Sequence, residues 1–204
     1  MSCSRKDILK DYEFDPSRVQ RIATRKVKPA LSIEPPNPEW PAQFEKLKSI
    51  IDAALGPVAL SVNHVGSTSV PKLPAKAVID IDLAVADPTE EDAYAPALER
   101  AGFQFLIRES GWHEHRFFAM YEPYHCNLHV FKEGTAELVR HLIMKEWLIA
   151  NDDDRELYAR TKMQAAEVSN SLGEEVMDYN HRKEDVIREI LQRAFKAKGY
   201  LDHA

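Results

Sequence analysis

Two neighbouring segments hold the residues best suited to chemistry: His64-Val65-Gly66-Ser67-Thr68-Ser69-Val70 and Lys76-Ala77-Val78-Ile79-Asp80-Ile81-Asp82-Leu83. Glycine followed by hydroxyl residues lets the backbone turn sharply and approach a phosphate. Asp80 and Asp82 are two apart in a β-branched run, and strand alternation sends both side chains to one face. Two carboxylates side by side on a buried sheet repel each other and lose hydration. A hard divalent cation relieves both costs, and Mg²⁺ takes carboxylate oxygens while keeping substrate phosphates as further ligands. Asp-x-Asp alone is common at solvated strand ends, and Gly-Ser alone says less. Together, with apolar residues on both sides of each aspartate, they point to an anion-plus-metal cleft.

The elements that must position these residues are legible around them. A proline-rich boundary at residues 34–41 precedes a helix whose apolar positions run from Phe44 through Leu47, Ile50, Ile51, Ala54 and Leu55, closed by Gly56-Pro57. Val58 to Val65 reads as a strand that leads into the Gly66-Ser67 turn, and Ala77 to Ala86 as a central strand covered on both faces. A helix is expected from Thr89-Glu90-Glu91 to about Arg100, bent by Pro96. Strands follow over 103–107, 116–121 and 126–131. Beyond Gly134 the chain reads as helical to its end. Asn151-Asp152-Asp153-Asp154 is expected to cap one helix whose buried side holds Leu157, Met163 and Val168. The final helix shows a stripe of Val186, Ile187, Ile190, Leu191, Ala194 and Phe195. The order predicts an α/β (α+β) fold, a mixed sheet flanked by helices with a helical C-terminal layer. The domain is expected over 33–198, with a basic N-terminal extension over 1–32 and a short tail over 199–204.

Composition narrows the function. The chain has 204 residues, 44% hydrophobic and 29% charged, with a formal net charge of −6. That balance suits a globular core and argues against a nucleic acid as the partner. The first thirty residues are more basic, and they read as a solvated tail or an edge element with partial helix or coil. Cys3 and Cys126 do not make a disulfide framework. With neither an apolar run long enough for a bilayer nor a signal peptide, a cytoplasmic protein without a membrane partner is expected.

At this point the sequence resembles a family. Gly-Ser followed about a dozen residues later by Asp-x-Asp in an apolar strand is similar to the signature of the nucleotidyltransferase superfamily. More narrowly, His64, Gly66, Ser67, Thr68, Ser69, Val70, Pro71, Leu73, Ala75, Lys76, Ile79, Asp80 and Ile81 stand where the GrpB family has its central run. Asn37-Pro38-Glu39-Trp40-Pro41, Asn127-Leu128-His129-Val130, Arg140, Tyr158 and Lys162 extend the resemblance over roughly residues 33–195. The resemblance implies a polymerase-β-type sheet. It also implies Mg²⁺ on Asp80 and Asp82, and an NTP whose phosphates meet Gly66, Ser67 and Thr68, with Lys76 neutralising charge. Active superfamily members carry a third carboxylate on a later strand; the aligned strand offers His129, a candidate metal ligand or proton acceptor.

Other candidates are Arg108, Arg116 and Arg140 for an anionic substrate, with Arg116 at a strand start near the cleft and Arg140 supported by the resemblance. Tyr158/Lys162 and Tyr179/Lys183 share helix faces, which a structural pairing explains as well as a substrate contact does. His113, His115, His125 and His129 suggest zinc, but 125 and 129 would lie about 13 Å apart on a straight strand. Trp112 beside Gly111 is the tryptophan expected to touch a ligand. The sequence therefore predicts a Mg²⁺-dependent transfer of a nucleotidyl group from an NTP to a small-molecule or protein acceptor. The competing reading is a non-catalytic module that binds a nucleotide or another phosphorylated small molecule.

Overall fold

A computed structural model describes residues 3–28 and 30–201. Six strands form one mixed sheet: β1 (Val19–Arg21), β2 (Ser61–Val65), β3 (Ile79–Val85), β4 (Gln104–Glu109), β5 (His115–Met120) and β6 (Cys126–Lys132), in the order β1-β4-β5-β6-β3-β2. Only β3 and β6 run parallel; the other neighbours are antiparallel. The helices are α1 (Arg5–Leu9), α2 (Trp40–Leu55), α3 (Ala95–Arg100), α4 (Ala136–Ala150), α5 (Asp152–Leu172), α6 (Val176–Arg182) and α7 (Glu184–Ala197). This is the mixed sheet with flanking helices and helical C-terminal layer that the pattern predicts.

The two sheet faces differ because the strand sequences do. One face carries Ile79, Ile81, Leu83, Phe105, Phe118, Leu128 and Val130, which pack against Leu47 and Ile51 of α2 and Leu98 of α3. Burial of this apolar surface supplies most of the driving force for the sheet to close on its helices. The opposite face carries Asp80, Asp82, Asn127, His129, His115 and Glu109. A layer built by α4, α5 and α7 flanks it, with Val70 and Leu73 of the β2–β3 connection packed against Leu148, Tyr158 and Ile190.

Several local expectations change. The strand expected over 58–65 begins at Ser61, because Gly56–Val58 forms a 3-10 turn. Pro96 does not bend a helix interior; it sits in the first turn of α3, where its missing N–H would have no partner anyway. Asn151 precedes α5 but makes no capping bond, its amide donating instead to the Trp147 carbonyl. The buried side of α5 is not Leu157, Met163 and Val168. Met163 is 47% exposed, and the inward residues include Tyr158, Lys162, Ala165, Ala166 and Ser169. A helix that turns a lysine inward has been shaped by something other than apolar burial.

The N-terminal extension is folded onto the domain. Ile8 of α1 packs with Ala136, Ile143, Leu191 and Phe195, and β1 extends the sheet at its edge by pairing with β4. Of the alternatives the sequence offered, the edge element with partial helix is the one observed. Among the described residues no helix is long and apolar enough to cross a membrane.

Candidate functional site

The site is built on the polar face by strand register. Asp80 lies opposite Asn127, and Asp82 opposite His129, across the parallel β3–β6 pair. Partners in register on adjacent strands share a face, so the four side chains form one patch. Asn127 Nδ2 donates to Asp80 Oδ1 at 2.7 Å, and Arg25 from the N-terminal extension donates to Asn127 Oδ1 at 2.9 Å. The Gly66-Ser67 turn closes over the end of β3. Gly66 has φ +66°, and a Cβ there would lie 2.4 Å from Asp80 Oδ2. Glycine is therefore needed twice, for its backbone angle and for the approach of the carboxylate. Burial raises the Asp80 pKa, against the Asn127 hydrogen bond and the charges of Lys76 and Lys183.

Asp82 is 1% exposed. His141 on α4 donates from Nδ1 to Asp82 Oδ2 at 2.8 Å, and its Nε2 lies 3.3 Å from Glu137 Oε1 one turn earlier. Burial works against the His141 proton, but the two carboxylates hold its pKa well above the ordinary histidine value. For Glu137, burial is outweighed by His141 and Arg140, and the pKa falls to about 2. The other oxygen of Asp82, Oδ1, is buried with no hydrogen-bond partner. Among the described residues no set of three or more His, Cys, Asp or Glu side chains is arranged as a metal cage.

Near Asp80 is a cluster of cations. Lys162 is 1% exposed, with its ammonium donating to the Pro74 carbonyl and lying 4.7 Å from the Tyr158 ring centroid. Lys76 and Lys183 lie 5.2 and 4.4 Å from the ring centroid of Tyr179. Burial lowers all three: Lys162 to about 7, Lys76 and Lys183 to about 8, with repulsion from Lys183 adding to the shifts of the other two. Asp80 acts on each in the opposite sense. None of the three forms an ion pair with a carboxylate among the described residues. Tyr158 and Tyr179 each carry their i+4 lysine over the ring, and Tyr179 also meets Lys76 from the β2–β3 connection. A separate cavity of about 340 Å³ opens next to Gly66 and Ser67, between Tyr12, Trp112, His141 and Tyr158.

A sequence model of the GrpB proteins matches residues 30–193. The chain belongs to the GrpB family. A UPF0157 protein of Halalkalibacterium halodurans is 40% identical over 179 residues, which cover 86% of this chain and 90% of that one. One from Streptomyces coelicolor is 36% identical over 159 residues, 78% of this chain and 81% of its own. A dephospho-CoA kinase of Mycolicibacterium paratuberculosis is 29% identical over 201 residues, covering 85% of this chain but 48% of the kinase. Among solved structures, GrpB from Enterococcus faecalis superposes with a TM-score of 0.71 at 27% identity, over 82% of this chain and 99% of that one. The matched segment spans Gly66, Asp80, Asp82, Asn127 and all three lysines, whereas Tyr12 and Arg25 precede it.

The structure brings Gly66, Ser67, Asp80, Asp82, Lys76 and His129 together, and it engages four other candidates elsewhere. Thr68 turns inward, 4% exposed, with its hydroxyl 3.0 Å from His64 Nε2. His64 itself stacks on Phe44 on the apolar side, where burial pushes its pKa down to about 4. Arg116 points to the opposite face from Asp82, because it is one residue out of phase with His115 and Phe117; there it pairs with Glu91 at 2.6 Å. Arg140 borders the 340 Å³ cavity, but its guanidinium binds the Ile8 and Lys10 carbonyls and Asp11. Arg108 is likewise committed to Glu91. His115 meets His129, while His113 and His125 make no contact with that pair among the described residues. The sequence reading missed His141 and Glu137. Their i, i+4 spacing on α4 was a usable signal, but nothing local showed that this helix face looks at Asp82.

Proposed function

We propose that this chain binds a nucleoside triphosphate together with Mg²⁺ and transfers the nucleotidyl group to a small-molecule or protein acceptor. The observation that carries the reading is a group of lysines near Asp80 that form no carboxylate ion pair among the described residues: Lys162, which is buried, and Lys76 and Lys183, which are half-buried. Burying cations without counter-ions is costly, and a polyanionic ligand removes that cost. The Gly66-Ser67 turn, packed against Asp80, suits a phosphate chain that approaches both the carboxylate and the lysines near it.

The residues present fit a divalent cation. Asp82 Oδ1 is a buried acceptor with no donor, and Asp80 Oδ2 lies in the space that a side chain on Gly66 would fill. Asp80 and Asp82 would hold the ion, which when bound supplies charge neutralisation and Lewis acidity at the phosphate. His141 offsets part of the Asp82 charge, and Asn127 fixes the Asp80 carboxylate by one oxygen. His129, in register with Asp82, is the group on this face available to accept a proton. A cytoplasmic location, where NTPs and Mg²⁺ are abundant, accords with this reading.

A binding module without transfer is the second reading, supported by His141 already sitting on Asp82 Oδ2. Calorimetric titration with a panel of NTPs, with and without Mg²⁺, tests the site. Binding should need Mg²⁺ and be lost in Asp80→Asn; unchanged binding in that variant would sink the proposal. Pyrophosphate release in the presence of an acceptor mixture then separates the enzyme from the module.

A further inference from the structure

The polar face holds a hydrogen-bonded row that the binding of phosphate does not use. Tyr12 Oη donates to Glu109 Oε1 at 2.6 Å. Glu109 Oε2 lies 3.1 Å from His115 Nδ1, and His115 Nε2 lies 3.0 Å from His129 Nδ1. The row crosses three adjacent strands, β4, β5 and β6, and stops beside Asp82. The first member comes from the N-terminal extension, where Tyr12 stacks on Trp112 at 5.2 Å.

The protons in this row are determined by elimination. Glu109 accepts from both neighbours; burial is overcome by the bonds from His115 and Tyr12, which lower its pKa. His115 is 3% exposed, and burial keeps it neutral despite Glu109. Its single ring proton is therefore on Nδ1, facing Glu109, and its Nε2 must accept. His129 must then donate from Nδ1. Burial and the nearby positive groups His141 and Arg25 also hold His129 neutral, which leaves its Nε2 as a lone pair. That nitrogen makes no hydrogen bond among the described residues, and the side chain is half-buried rather than sealed.

We infer that Tyr12, Glu109 and His115 are positioning residues that lock His129 in its Nδ1–H tautomer, so that Nε2 is the proton acceptor for an attacking hydroxyl. The inference rests on the proposed nucleotidyl transfer for its chemistry. In that step the acceptor O–H proton goes to Nε2 and the oxygen forms a bond to the α-phosphorus. The bond to pyrophosphate breaks, and its electron pair leaves on pyrophosphate. The logic is that of a base oriented by a second group, with a neutral histidine in the place between base and carboxylate. It also gives the N-terminal extension a role: Tyr12 completes the row from outside the segment shared with the family model.

The test is nitrogen-detected NMR of the imidazoles of the full chain, without nucleotide. His129 should carry its proton on Nδ1 in the wild type. In His115→Phe the ring packing against Phe131, 4.8 Å away, is preserved while the acceptor for His129 is removed. There His129 should move towards the Nε2–H form that free imidazole prefers, with a lower melting temperature because Glu109 Oε2 loses its donor. Tyr12→Phe keeps the stack on Trp112 and should shift the His115 and His129 signals less. Where pyrophosphate release is measurable, His115→Phe should lower kcat roughly tenfold to a hundredfold and leave the KM for the nucleotide unchanged. A wild-type His129 protonated on Nε2, or one unaltered by His115→Phe, would overturn the inference; should that variant fail to fold, the wild-type tautomer and Tyr12→Phe still decide. Absence of nucleotide binding would instead defeat the proposed function and leave the tautomer result standing.

Discussion

Lys162→Met separates a lysine kept for a ligand from one kept for the fold. Lys162 is 1% exposed, and its pKa falls from 10.5 to about 7, mainly through burial. A shift of that size means the folded chain at pH 7 is disfavoured by about 4 kcal/mol relative to one with an unshifted lysine. Methionine has a similar length and no charge to bury. Against that gain, the Pro74 carbonyl loses its donor, which costs about 1–3 kcal/mol. The net expectation is a stabilisation of roughly 1–3 kcal/mol, or a rise in Tm of about 3–10 °C for a chain of this size. Calorimetry should show the opposite effect on the ligand. Loss of one charge-assisted bond to phosphate weakens ATP or tripolyphosphate binding by about tenfold to a hundredfold. Scanning calorimetry and titration on the same preparations give both numbers. A variant that melts lower and binds ATP unchanged would refute the reasoning, because Lys162 would then be serving the fold.

The same lysines set a pH dependence. Their folded pKa values, about 7 to 8, lie below the unfolded value of 10.5, so between those limits the unfolded chain holds protons that the folded chain has released. Stability from these groups therefore rises with pH across that window and is least below about pH 7, while triphosphate affinity falls over the same range; at pH 8 binding should take up protons, visible as a buffer-dependent heat. Gly66→Ala combines a φ of +66° with a Cβ 2.4 Å from Asp80, and urea denaturation should show a loss of at least about 2 kcal/mol. Gly173, in the left-handed conformation at φ +66° with nothing within 4 Å of a built Cβ, is the control, and its alanine variant should lose only about 1 kcal/mol. Arg140→Ala should release α1 and Asp11, so that limited proteolysis cuts within residues 5–28 while nucleotide binding is retained; loss of binding with a protected N-terminus would restore Arg140 as a phosphate ligand.

Most of the sheet, and the shared face of Asp80 and Asp82 at the centre of the candidate site, were legible in the sequence alone. Local rules suffice there: an alternating apolar strand puts Asp80 and Asp82 on one face, and a glycine before hydroxyls makes a turn. It also placed the α2 and α7 stripes, because each repeats at helical spacing along one segment. What only the tertiary structure decided is which side of each remaining element meets that centre. Arg116 and His115 are adjacent in sequence, yet strand alternation sends one to Glu91 and the other to His129, and the phase depends on where β5 begins. Lys162, Lys183, His141 and Tyr12 come from four separate stretches of the chain; only the packing of α4, α5 and α7 against the sheet, and of the N-terminal extension across it, brings them near the carboxylates. The long-range cost of burying Lys162 and half-burying Lys76 and Lys183 without ion-pair partners cannot be read from spacing, because it arises only when α5 and the start of α7 pack near Asp80.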